Sequence, residues 1–254
     1  MTLSKRISPA RSAFAALLVA TLCAGFGIQV ADGAKTKVLG KTKSTPRPMC
    51  PGKKVQNPSV KELCEVTGQV TGFQRSADGK KGLFKVKDDG KIVAWSVDMA
   101  DPRKSERETF GEAAATNRFG KAPSAGISII RSTSNSEFRL KKASPMLSMR
   151  GFYGRQPVIT LDDPLRVRKG DVVALTTDTW LPAFTRINQN QDDAWVASRK
   201  KKNCTVPSSV PPDKRLEYFF EHTSPHRQVD SERKYQCVYK GARILYWAYF
   251  VPSN

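Results

Sequence analysis

The sequence predicts an all-β protein: a two-sheet antiparallel sandwich, jelly-roll-like, behind an N-terminal signal peptide and a basic arm. Three observations predict it. Short segments alternating apolar and polar residues recur from residue 64 onward, turn chemistry separates them, and no segment shows the apolar spacing of an amphipathic helix. The 254 residues accommodate a signal peptide (1–33), a flexible basic arm (34–63) and a single sandwich domain (64–254), and no internal repeat is visible.

The elements follow in order. Lys5, Arg6 and Arg11 precede an uncharged apolar stretch, Phe14 to Val30, and Ala31 and Gly33 supply small residues at signal-peptidase spacing. Cleavage is expected after Gly33; an uncleaved anchor and a lipoprotein site at Cys23 are the weaker alternatives. Ala34 to Lys54 is rich in Lys, Thr and Pro, so regular structure is expected to begin near Cys64. Glu65 to Phe73 alternates as a half-buried strand, and Gly82 to Val86 is a short strand candidate before the turn Asp88-Asp89-Gly90. Val93, Trp95, Val97 and Met99 then share one face of the clearest strand in the chain. Asp101 to Pro123 is a polar connection, with Glu112 to Ala115 a candidate helical turn.

Gly126 to Arg131 and Glu137 to Lys142 are the next strands. Val158 to Leu161 is a strand ending at the turn Asp162-Asp163-Pro164, and Leu165 to Thr176 is a hairpin turning at Lys169-Gly170-Asp171. Thr177 to Lys234 reads as a long loop region, with a strand candidate at Tyr218 to Glu221. Tyr235 to Tyr239 and Arg243 to Val251 close the domain, the last apolar on both faces and therefore central.

Removing the signal leaves Cys50, Cys64, Cys204 and Cys237. An even count in an exported chain argues for disulfides. Of three possible pairings, Cys50–Cys64 and Cys204–Cys237 join cysteines near in sequence. Spacing excludes a zinc site, since there is no C-x-x-C and the histidines are only His222 and His226.

The segment Ile92 to Pro252 resembles a group of uncharacterised secreted actinobacterial proteins. The likeness rests on GKIVAWSVDMADP (Gly90–Pro102), AGISIIR (Ala125–Arg131), ITLDDPLRVRKGDVVALTTDTWLPAF (Ile159–Phe184), DAWVASRKKKNC (Asp193–Cys204) and YQCVYKGARILYWAYFVP (Tyr235–Pro252). It implies a signal peptide, a β-sandwich and a Cys204–Cys237 bridge, and no activity. The chain departs from the group's pattern at Thr177-Asp178-Thr179-Trp180 and in its more basic loop around Lys200–Lys202.

Chemistry is sparse. No G-x-S-x-G, P-loop or G-x-G-x-x-G is present, and no cofactor or metal is called for. His222 and His226 flank a proline and read as exposed loop residues. Asp98, Asp101, Asp178, Asp192 and Asp193 are the carboxylates a polysaccharide hydrolase would draw on, but nothing in the sequence fixes the separation of any two. The 43 Lys and Arg against 23 Asp and Glu give a net charge of +20, which draws polyanions over a long, salt-sensitive range.

Candidate binding residues are therefore Trp180, Phe184 and Trp195, a stacking platform if exposed together, with Arg186, Arg199, Lys200, Lys201 and Lys202 as anion contacts. The expectation is a secreted or surface-associated, non-catalytic module binding anionic or glycan polymers of the cell envelope. The alternatives are a secreted hydrolase using loop carboxylates and a structural spacer tethered by its arm. No dedicated nucleic-acid motif is present, and no membrane span remains once the signal is cleaved.

Overall fold

Alternation carries over into strands almost throughout. The computed structural model describes residues 35–50, 64, 66–110, 120, 122–187, 192–211, 214, 218 and 221–253. The expected signal peptide, the 51–63 part of the arm and the helical turn at 112–115 lie outside these. The strands are β1 (Lys37–Leu39), β2 (Thr67–Ala77), β3 (Lys80–Lys81), β4 (Gly90–Val97), β5 (Ser124–Ser134), β6 (Glu137–Ala143), β7 (Leu147–Ser148) and β8 (Val158–Val167). They continue with β9 (Val172–Leu181), β10 (Phe184–Arg186), β11 (Ala194–Ala197), β12 (Glu232–Lys234), β13 (Cys237–Lys240), β14 (Ala242–Ile244) and β15 (Tyr246–Pro252), and one short helix, α1 (Lys104–Phe110), follows β4. Among the described residues no helix is long and apolar enough to cross a membrane.

Two antiparallel sheets dominate. The first has the order β1-β15-β4-β8, and the second, of nine strands, runs β12-β6-β5-β9-β2-β11-β13 with β3 and β7 at its margins. The chain passes from β1 to β2, back to β4, out to the β5–β6 hairpin, back to β8, out to β9, and home at β15. That is the alternation of a jelly roll, with β2, β9, β5 and β6 as the second layer. Ile92, Trp95, Val97, Ile127, Ile129, Val173, Leu175, Tyr246 and Phe250 fill the core. The double apolar pattern of β15 is explained by its place between β1 and β4.

Both disulfides, Cys50–Cys64 and Cys204–Cys237, are formed. The second ties the loop after β11 to β13, which are already paired in register.

Several elements differ from the sequence expectation. Regular structure begins before Cys64, because β1 within the supposed arm pairs with β15, Lys37 opposite Phe250 and Leu39 opposite Ala248. Gly82–Val86 makes a turn and one isolated bridge, Lys85 to Val172, instead of a strand. Val93 is the extra residue of a bulge, which puts Ile92 into the core beside Trp95. Asp162-Asp163-Pro164 bulges out of β8 and does not end it: Ile92 faces Leu165 while Ala94 faces Thr160. β8 is an edge strand, where a proline without an N–H removes no ladder bond. The long loop expected from Thr177 to Lys234 holds the end of β9 and all of β10, β11 and β12. Tyr218 and Glu221, the described ends of the strand expected there, are helical, with the His222 N–H donating to the Tyr218 carbonyl at 3.1 Å.

Candidate functional site

The aromatic platform does not form. Trp180 is fully buried, packed against Phe110 (5.2 Å between ring centroids) and Tyr153 (6.2 Å). Trp195 is buried in a different cluster, stacked on Tyr239 at 4.7 Å and edge-on to Phe184 at 5.9 Å. Both plug the fold. Trp180 sits on β9 within the second sheet, and β11 is sandwiched between β2 and β13, so neither ring reaches solvent. Arg199 is also internal, 3 % exposed; its guanidinium donates to the Tyr239 hydroxyl (2.8 Å) and the Gly68 carbonyl (3.3 Å). The basic run thus splits, with Arg199 inside and Lys200, Lys201 and Lys202 on the surface. Phe184 and Arg186 line a hollow of about 460 Å³ with Tyr239 and Lys240, apart from that lysine run.

The carboxylates are dispersed. Asp193 is bound to Arg243, Asp178 to Arg227 and Asp171 to Arg131. Asp98 stands apart in β4's exit, its carboxyl pushed up by burial. None of these four carboxylates lines the hollow beside Phe184 or the lysine cleft described below.

His226 is buried, against expectation, and its hydrogen bonds define its protonation. Nε2 lies 3.1 Å from the Ser231 carbonyl, which can only accept, so Nε2 carries the hydrogen. Nδ1 accepts from the Tyr235 hydroxyl at 3.2 Å, whose pKa burial raises. Ser231 Oγ, 3.0 Å from Nε2, donates to the Gln228 carbonyl at 2.6 Å. A base for Ser231 would need a bare Nε2, so this pair is a structural seal. It closes over Thr71, which bonds Thr176 at 2.9 Å, and Thr176 in turn bonds Ser128 at 2.7 Å, a polar row across β2, β9 and β5. Burial and the Arg233 charge lower the His226 pKa below 6.5. The unfolded chain therefore takes up the proton first. Stability is expected to be full above pH 6.5 and to fall as pH drops from there toward the lower folded pKa. Urea melts between pH 7.5 and 5 would show this slope in the native chain and a flatter one in His226→Gln.

The described surface gathers charge elsewhere, in a cleft of about 510 Å³ where the margins of the two sheets meet. One wall is β1 and its exit, bearing Lys37 and Lys41. The other is β3 and the segment to β4, bearing Lys80, Lys81, Lys85 and Lys87. The second wall is built by alternation: Phe84 and Val86 point into the core, so Lys85 and Lys87 point out. Gly40 lets the walls approach. Its φ is +86°, its N–H donates to the Leu83 carbonyl at 3.0 Å, and a Cβ there would run into the Phe84 ring. Asp88 is the cleft's single carboxylate, 3.2 Å from Lys37. That pair is more than half exposed and contributes little, so the cleft keeps a strong positive excess.

Sequence reasoning missed this site. Lys80, Lys81, Lys85 and Lys87 are visible as a basic stretch, but Lys37 and Lys41 fall in a segment that reads as a loose arm. No family model, curated protein or solved structure matches the chain.

Proposed function

We propose that this protein is a secreted, non-catalytic jelly-roll module that binds a linear polyanion of the cell envelope or its surroundings in the lysine cleft. The observation that carries it is the convergence of six lysines, from segments about 40 residues apart in sequence, on one cleft with one opposing carboxylate. The apolar stretch near the N-terminus and the oxidised cysteine pairs support an exported location. The hydrolase alternative is weaker, because Asp178 and Asp193, two of the acids it would draw on, are held by Arg227 and Arg243.

Binding to acidic polymers across a salt series tests the proposal. Affinity is expected to fall steeply with salt, as released counterions require. Replacing Lys80, Lys81 and Lys85 together by Gln is expected to reduce the log–log salt slope by about 2–3, near one per lost contact. The same change at Lys200, Lys201 and Lys202 removes equal charge outside the cleft and is expected to have a smaller effect. Equal losses from both triple variants would reduce the attraction to net charge and remove the cleft from it.

A further inference from the structure

The identity of the cations carries the reading further. The chain has 19 arginines and 24 lysines, yet every cation lining the cleft is a lysine. Among the described residues carboxylates are held more often by arginine than by lysine, the lysine pairs being Lys37–Asp88, Lys104–Glu108 and Lys141–Asp230. Arg131 grips Asp171 with two bonds of 2.7 and 3.0 Å, Arg243 holds Asp193 and Asp78, Arg139 holds Glu232 and Arg103 holds Glu106. The guanidinium's planar fork matches a planar carboxylate edge, whereas an ammonium is a point charge with three donors and no preferred plane.

The second observation is that the lysines stand on two facing walls. Lys85 and Lys87 project from alternate residues of one wall, about 6.6 Å apart along an extended chain. Lys37 and Lys41 stand on the other. A carboxylate offers both oxygens at one planar edge and serves one wall at a time. A tetrahedral oxyanion directs oxygens to both sides of its chain and serves the two walls together.

Resting on the proposed polyanion binding, we infer that the cleft takes an extended chain of phosphate groups in preference to a chain of carboxylates. The ligand lies between the β1 wall and the Lys80–Lys87 wall, with successive phosphates bridged across it. Affinity requires a chain, because a single phosphate reaches only one or two of the six lysines.

The test uses linear inorganic polyphosphate and polygalacturonate of equal charge number, with the full-length protein, at one ionic strength. Polyphosphate is expected to bind on the order of tenfold more tightly, and inorganic orthophosphate at equal phosphate concentration is expected not to displace it. A second variant separates geometry from charge density. Lys80→Arg, Lys81→Arg and Lys85→Arg together keep the charge and are expected to narrow the preference several-fold by strengthening polygalacturonate binding. A preference unchanged by arginine would make charge density its cause and overturn the inference. So would equal or tighter binding of polygalacturonate to the native protein, while leaving the broader polyanion reading standing. Failure of both polymers to bind would overturn both.

Discussion

Replacing Arg243 by Met is expected to destabilise the folded domain by about 3–5 kcal/mol, the cost of leaving a buried charge without its partner. Arg243 is 5 % exposed and Asp193 is wholly buried; Arg243 Nε donates to Asp193 Oδ2 at 2.5 Å. A second guanidinium nitrogen bonds Asp78, and Nη1 donates to the Ser44 carbonyl at 3.0 Å. The other Asp193 oxygen accepts the Asp78 backbone N–H at 2.9 Å. Burial alone would lower the guanidinium's pKa, but the bonds to Asp193 and Asp78 reverse this and hold it above its ordinary value. One side chain thus joins β14, the segment after β1, the turn between β2 and β3, and the approach to β11.

For a domain this size the loss corresponds to a melting temperature lower by about 10 °C. Urea unfolding checks it, and a loss below about 1 kcal/mol would contradict the assignment. Arg243→Lys keeps the charge but not the fork and is expected to fall between the two. Because Asp78 fixes the turn that presents Lys80 and Lys81, the Met variant is also expected to bind polyanions more weakly.

Phe84→Ala is expected to cost about 3–5 kcal/mol and, without removing any charge, to weaken the cleft. The Phe84 ring is 2 % exposed and stacks on Tyr246 of β15, with centroids 4.1 Å apart and planes 10° apart. The Tyr246 hydroxyl donates to the Val173 carbonyl of β9 at 2.8 Å, and the Val173 N–H donates to the Phe84 carbonyl at 3.0 Å. Phe84 therefore anchors the lysine-bearing wall to both sheets. Truncation opens a cavity beneath Lys85 and frees the wall from β1. Calorimetry gives the stability loss, and a salt series well below the melting temperature gives the loss of affinity. Unchanged affinity in a destabilised Phe84→Ala protein would mean that the wall does not depend on this anchor. Phe84→Leu, which keeps most of the volume, is expected to retain most of both properties.

The sequence by itself determined most of the strands and favoured the two disulfides that form. Trp95 and Ile127 lie on strands because their neighbours alternate, and Val173 and Tyr246 because they fall in short apolar runs rich in β-branched and aromatic residues and bounded by turn residues. Cysteines near in sequence pair because short loops close readily. Tertiary structure alone decided what each face meets. The sequence sets Trp180 and Trp195 in a stretch that reads as loop, two residues after Asp178 and Asp193, and does not say that Phe110 of α1 and Tyr239 of β13 pack on their rings. It marks His226 as a loop residue, but not that Thr71 and Tyr235 enclose it. The cleft is non-local for the same reason. Lys37 and Lys41 join Lys80, Lys81, Lys85 and Lys87 only because β1 pairs with β15, at the far end of the chain, and such pairing is set by which edge remains free once the sheets are assembled.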